Sequence, residues 1–463
     1  MPSQSRRAYL RALALAGASA LAGCPGNGAT DSDTRASDGA GTVSGTVPTE
    51  GPTAAETPTS TATPSETSTP TETSTETRTP TATPERRVGG IVDSRPEAVW
   101  PLPERSVAND AYDADGTTVA ESPSVAWRAT AKRPEGTDDV YDPDFSGAVV
   151  ADGRVFATNA LLYGPEVPRP DRQLVRAFDT ASGEERWTHT VVDEADGVSV
   201  PTEPVVGDGV VYVATGETVH VLDPATGDVV RTRSFPGDIE TVTPAGDRTF
   251  VVVDDAVYAL DADGDTEWST EIEEHVGARP ALGTDRLYVG AANKQLYALD
   301  PETGEVAWNR TVEHAGEIGY AIYDVVALAN GVVVRRANDT LYAFDDAGER
   351  VWYADRGYHS VATDGTRLYC GRGAGDVHAL DVTTGEVRWE RDYEGGDDVG
   401  RPVVTGDRVY VTDEERLVAA RPGDGTEVWR TPVEHGGFVL GSNALFGVGY
   451  NSERDRVELA ALR

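Results

Sequence analysis

The side chains best suited to ligand or proton chemistry are three Glu-His pairs: Glu274-His275, Glu313-His314 and Glu434-His435. Each histidine follows a tryptophan (Trp268, Trp308 or Trp429) by six or seven residues. Imidazole beside carboxylate can bind a metal or change charge near neutral pH. Local packing within a repeat is the plainer role, and no metal site is assigned. A second constellation, Asp261, Asp263, Asp265 and Glu267 in DADGDTE, offers four carboxylates. An EF-hand loop needs Gly at position six and Glu at position twelve. Here Gly264 is at position four, so the segment reads as a turn. The only cysteines are Cys24 and Cys370. Cys370 ends the strand-like run Arg367-Leu368-Tyr369-Cys370 and is expected to be a buried, inert thiol. No C-x-x-C-H haem motif occurs, and no catalytic residue is assigned.

What would position these groups is a repeat. Asp179, Asp223, Asp261, Asp300, Asp345 and Asp381 each open a near-copy of one phrase, such as YALDPETGEVAW, at spacings of 36 to 45 residues. A seventh copy has Arg421 in place of the Asp. In this phrase the Asp caps a turn, Gly304 and its equivalents take the left-handed conformation, and the chain returns as a strand. Trp187, Trp268, Trp308, Trp352, Trp389 and Trp429 are placed to fill space between neighbouring sheets, and Arg231 replaces the Trp in one unit. Upstream segments such as GTRLYCGRG supply a second hairpin. Two hairpins make one four-stranded propeller blade, for which such a period is diagnostic.

These phrases give seven blades. The C-terminal stretch has strands but no turn and Trp, whereas Trp127 in SVAWRAT has a Trp strand with nothing before it. Joining the two gives an all-β, eight-bladed propeller whose last blade is completed by the N-terminal strand. Closure removes the sheet edges that seven blades with loose ends would leave.

Residues 1–23 resemble a twin-arginine lipoprotein signal: Arg6-Arg7, an apolar run, then Leu21-Ala22-Gly23 before Cys24. That resemblance implies lipidation at Cys24 and export to the outer face of the cytoplasmic membrane. Residues 24–90 are expected to form a disordered Thr/Ser/Pro-rich stalk with too few apolar side chains to bury a core. A lead-in over 91–123 and a propeller over 124–463 complete the expected organisation. Asn309 and Asn338 lie in N-x-Thr triplets and are candidate glycosylation sites.

Seventy-eight acidic against forty basic residues give a net charge of −38, spread through the repeats. This excludes the basic face that nucleic-acid binding requires. It resembles the acidic surfaces of proteins from halophiles.

The turn A-x-D-x-x-T-G-x-x-x-W fits best at Ala298 to Trp308 and Ala379 to Trp389. It resembles the repeat of PQQ-type, quinoprotein-like propellers over roughly residues 120 to 463. That repeat is shared by quinoprotein dehydrogenases and by the propeller lipoprotein of the bacterial outer-membrane assembly machinery. The enzymes use vicinal cysteines, a Trp against the quinone, and calcium; this chain has no adjacent cysteines. The expectation is therefore a monomeric, cofactor-free, lipid-anchored scaffold. It would bind an envelope protein through a face carrying His275, His314 and His435. The alternatives are a PQQ- and Ca2+-dependent dehydrogenase and a carbohydrate- or ion-binding surface sensor.

Overall fold

A carboxylate organises each turn of the repeat. Asp300 Oδ1 accepts hydrogen bonds from the backbone N–H of Glu302 at 2.9 Å and Thr303 at 3.0 Å. Asp179, Asp223 and Asp381 do the same two and three residues ahead. These donated bonds lower the pKa of Asp223 and Asp300, as expected for a carboxylate accepting several amides. Gly304 then adopts φ +73°, and its N–H returns to the Asp300 carbonyl. One residue is bulged out, and the chain runs back with Trp308 directly opposite Ala298.

The computed structural model describes residues 88–90, 92, 106, 108–114, 116, 119, 123–130, 144–161, 172–192, 202–276, 278–313, 321–373, 375–393, 399–412, 416–433, 436–441, 443–451 and 456–463. Cys24, the twin arginines, the stalk up to residue 87, Trp100, His314 and His435 lie outside them; residues 88–90, expected at the end of the stalk, are packed against the propeller.

Eight antiparallel four-stranded sheets form a ring. Blade one is built from Asp144–Ala151, Arg154–Leu161, Arg172–Asp179 and Glu185–Val192. Blade two has Val205–Gly207, Val210–Thr215, Thr218–Leu222 and Val229–Ser234. Blade three has Ile239–Ala245, Arg248–Val253, Ala256–Leu260 and Thr266–Glu271. Ala281–Leu282, Leu287–Gly290, Gln295–Leu299 and Val306–Thr311 make blade four. Blade five is Ile322–Leu328, Gly331–Arg336, Thr340–Asp345 and Arg350–Asp355. Blade six is Tyr358–Thr363, Arg367–Arg372, Asp376–Asp381 and Val387–Asp392. Val403–Thr405, Val409–Thr412, Arg416–Ala420 and Glu427–Pro432 form blade seven, with Tyr112–Asp113 added in parallel to its inner edge. Blade eight is Gly436–Gly441, Ala444–Asn451 and Arg456–Leu462, completed by Val125–Thr130.

The burial patterns follow from this stacking. Second and third strands are covered on both faces, as in the buried runs of blade four, Leu287–Gly290 and Gln295–Leu299. The fourth strands alternate outward and inward, so every second residue meets solvent. Cys370 sits in a second strand, fully buried, and burial pushes its thiol pKa up. The EF-like carboxylates form a tight turn, with Asp261 accepting from the N–H of Asp265.

Adjacent blades are joined by the Trp. Trp187, Trp268, Trp308, Trp352 and Trp389 each donate the indole N–H to a carbonyl in the next blade's turn, at 2.8–3.2 Å. The ring lies against that turn's glycine: a Cβ on Gly385 would fall 2.7 Å from the Trp352 ring. In blade two Arg231 stands opposite Val221, and its Nη1 makes the equivalent bond to the Ala262 carbonyl at 2.8 Å. Trp127 pairs with Ala461 and donates to the Thr180 carbonyl of blade one at 2.9 Å, which closes the ring. Ser124 and Arg463 exchange two backbone hydrogen bonds at this seam. Arg128 forms a 3.1 Å ion pair with the buried Glu458. Trp429 faces the blade whose turn is replaced by the two chain ends. Its Nε1 is buried without an acceptor among the described residues.

Trp352→Phe is expected to cost about 1 kcal/mol more than Trp429→Phe, because only the first removes a satisfied buried hydrogen bond. Denaturant midpoints in high salt measure the difference. Equal costs would contradict the unequal bonding of the two indoles.

Candidate functional site

The ring has two faces. One carries the first-to-second and third-to-fourth strand turns and is called here the turn face. The other carries the second-to-third hairpins and the crossings between blades, and is the crossing face.

Residues 88–90 are built into the turn face and residues 108–113 into the axis. Gly90 exchanges backbone bonds with Gly365 and Ala329 in the first turns of blades six and five. Val88 is buried against Gly331, and its carbonyl accepts from the Thr383 hydroxyl. Residues 108–113 then run along the innermost strands. The carbonyls of Ala108, Asp110 and Ala111 accept from the N–H groups of Ala327, Thr363 and Val404 on blades five, six and seven. Unpaired inner edges would otherwise line the axis. Asn109 is the keystone. It takes φ +58°, is buried, and its Nδ2 donates to the carbonyls of Arg279 (3.2 Å), Pro280 (3.4 Å) and Val325 (3.0 Å). Val119 N–H reaches the Tyr410 hydroxyl at 3.1 Å.

The crossing face carries the titratable clusters. Asp324 accepts from both Arg335 and Arg401. Burial pushes its carboxyl up, but the two guanidinium groups outweigh this and hold its pKa below the usual range. Asp376, His378 and Glu390 place one ligand atom each within 4.8 Å of one another. Arg372 Nη1 stands 2.7 Å from Asp376 Oδ2, so a guanidinium already fills the place a cation would take. Burial lowers the pKa of His378, whose Nδ1 lies 3.3 Å from the Tyr358 hydroxyl. Glu240 is crowded by Asp254 and Asp238, and burial first, then these charges, push its carboxyl up to about 7.

Of the predicted face, His275 is half-buried, and its carbonyl accepts from Ala292 N–H at 2.8 Å on the crossing side of blade four. His359 is exposed there, 3.6 Å from Asp339. The structure thus brings His275 and His359 to one face but not to one centre. Asn309 is exposed on a fourth strand, and Asn338 lies in the second-to-third hairpin of blade five. The axial segment, the Arg335–Asp324–Arg401 bridge and Asn109 were not identified from the sequence. The positive φ of Asn109 is the kind of position Asn is chosen for, but VANDAYD has no periodicity to reveal its long-range partners.

A quinone and calcium do not fit the described residues at the axis. Asp324 is held by two arginines, the Asn109 NH2 is committed to three carbonyls and leaves only its Oδ1 without a partner among the described residues, and seven of the eight Trp residues lie on blade strands. Among these residues no helix is long and apolar enough to cross a membrane.

A family profile described as outer membrane protein assembly factor BamB matches residues 171–336, 255–395 and 337–445. Outer membrane protein assembly factor BamB of Yersinia pestis is 23% identical over 235 residues, covering 44% of this chain and 58% of that protein. The chain thus matches less than two thirds of that relative's length. The structure of BamB from Moraxella catarrhalis is similar with TM-score 0.52 at 19% identity, covering 74% of this chain and 100% of that one. Quinohemoprotein alcohol dehydrogenase from Comamonas testosteroni is similar with TM-score 0.58 at 14% identity, covering 80% and 81%. At such identities these structures share the fold and nothing finer.

Asn109→Ala is expected to destabilise the propeller by about 2–4 kcal/mol, through lost buried hydrogen bonds and a left-handed Ala. Chemical denaturation measures it; a loss under about 0.5 kcal/mol would show that the axial segment is not held by this side chain. Glu240, with its folded pKa raised from 4.5 to about 7, favours folding below pH 4.5 and loses that contribution as pH rises through 7. Glu240→Gln should therefore raise the melting midpoint above pH 7 and leave it little changed near pH 4.5. A parallel pH profile for parent and variant would refute this.

Proposed function

Because the chain belongs to the propeller family described as outer membrane protein assembly factor BamB, we propose that it is a non-catalytic scaffold. In this reading it is exported, lipid-anchored at Cys24 and monomeric, and it binds an envelope protein through its crossing face.

One observation carries the choice of scaffold over enzyme: the chain's own residues 108–113 occupy the axis, hydrogen-bonded to the inner strands of blades five to seven. A quinone lodged in the central tunnel would have to displace those bonds. The same segment favours the crossing face as the partner surface. Residues 88–90 cover part of the turn face at blades five and six. In this reading the partner therefore meets the opposite face. That face offers His275, His359 and the acidic group around Glu240, a charged surface suited to a polar, salt-tolerant contact.

The test is affinity capture from native membranes in high salt, with the mature protein as bait. One envelope protein should be retained, and reversing charge at Glu273 and Glu274 on the crossing face should reduce its recovery several-fold. In parallel, titration with pyrroloquinoline quinone and Ca2+ should give no saturable quinone absorbance and no dye reduction. Saturable reconstitution with turnover would replace the scaffold by a dehydrogenase.

A further inference from the structure

The seam between blades two and three is built differently from its neighbours. In six of the other seven blades an indole on the fourth strand packs against an aromatic ring on the second strand of its own blade; blade five has Trp352 but an aliphatic second strand. The pairs Phe156–Trp187, Phe250–Trp268, Tyr288–Trp308, Tyr369–Trp389, Tyr410–Trp429 and Phe446–Trp127 all have ring centroids 5.8–6.0 Å apart and planes tilted by 41–50°. Blade two keeps the second-strand ring, Tyr212, but has Arg231 where the indole belongs.

Arg231 reproduces the hydrogen bond of the missing indole but not its volume. Its Nη1 reaches the Ala262 carbonyl at 2.8 Å, and two residues on Arg233 binds the Gly264 carbonyl and the Thr266 hydroxyl. The blades are therefore held together. The space between them is left as a slot of about 250 Å³, open to solvent on one side. Its apolar lining is Tyr212, Val219, Val221, Val251 and Leu260, each no more than 5% exposed, and Arg231, Arg233, Thr249, Asp263 and Asp265 supply polar groups around them, with the Arg231 guanidinium lying against the Gly264 turn. An apolar cavity of roughly 150 Å³ is enough to bind benzene.

We infer that this slot is a binding site for a planar aromatic ring of indole or phenol size. Such a ring restores the tilted contact that Tyr212 lacks and displaces water from aliphatic walls. It also places its π-face against Arg231, where a guanidinium adds cation–π attraction. The ring can come from a free small molecule or from an aromatic side chain of a bound peptide. The inference does not rest on the scaffold reading, because the slot lies between blades and not at the axis or on the crossing face.

The probe is 5-fluoroindole, followed by fluorine NMR line broadening on the mature protein. The parent should broaden the signal saturably at millimolar ligand. Arg231→Trp, which fills the slot with the residue found in the other seams, should weaken binding at least tenfold and raise the melting midpoint. Val219→Phe fills the slot from the third strand of the same blade and should weaken binding likewise. If neither variant folds, fluorine–proton Overhauser contacts to the Val219, Val221 and Leu260 methyls in the parent decide the matter. A blocked tripeptide carrying 5-fluorotryptophan at its centre distinguishes the sources. Tighter binding than free fluoroindole assigns the slot to a peptide side chain, and exclusion of the peptide assigns it to a free aromatic. The inference is overturned by no binding of either probe, by binding that survives both substitutions, or by equal binding of cyclohexanol.

Discussion

The indole laid against a glycine turn of the next blade is the contact from which the ring is assembled. It needs three residues in register: a Gly with positive φ and no Cβ, a carbonyl turned outward by the Asp-capped turn, and an Ala opposite the Trp. Each requirement is local to one hairpin, yet together they fix the distance and angle between sheets. Because the contact combines a buried ring and a satisfied N–H, it tolerates exchange of one component at a time. Arg231 keeps the bond and gives up the ring; Trp429 keeps the ring and has no acceptor among the described residues. These two exceptions fall at different kinds of seam. One lies between ordinary blades, the other at the blade closed by Val125–Thr130 and Arg456–Leu462.

The axis shows a second constraint. Innermost strands of a propeller have one unpaired edge, and buried amides must find acceptors. Here the chain supplies them from its own residues 108–113, in a short parallel pairing at blade seven and single bonds at blades five and six. Tyr112–Asp113 thereby makes blade seven five-stranded. The price is polar: Asn109 must sit at positive φ, and the Asp324 carboxylate beside it requires two arginines.

The repeat was legible because its signals are short-range. Asp, Gly and Trp act within one turn, and that turn's chemistry is written in twelve consecutive residues such as those ending at Trp308. The joining of Trp127 to the C-terminal strands was legible for a related reason: each end held half of a unit whose whole was known. The axial segment was not. Its partners are 170 and 216 residues away for Asn109 alone, and no periodicity marks it. The replacement of Trp by Arg231 could be read directly, but the resulting slot could not, since its volume depends on how far Tyr212 and Leu260 stand apart across two sheets. Of the three histidines proposed from spacing, His275 alone falls among the described residues.

The eighth blade couples distant parts of the sequence. Its outer strand, Val125–Thr130, finds its partner in Arg456–Leu462, with all seven other blades lying between them in the chain. Until Arg456–Leu462 is in place, those blades form an open arc with a raw edge at each end. Truncation before Arg456 therefore leaves sticky edges, and ring closure becomes a check that every blade is present.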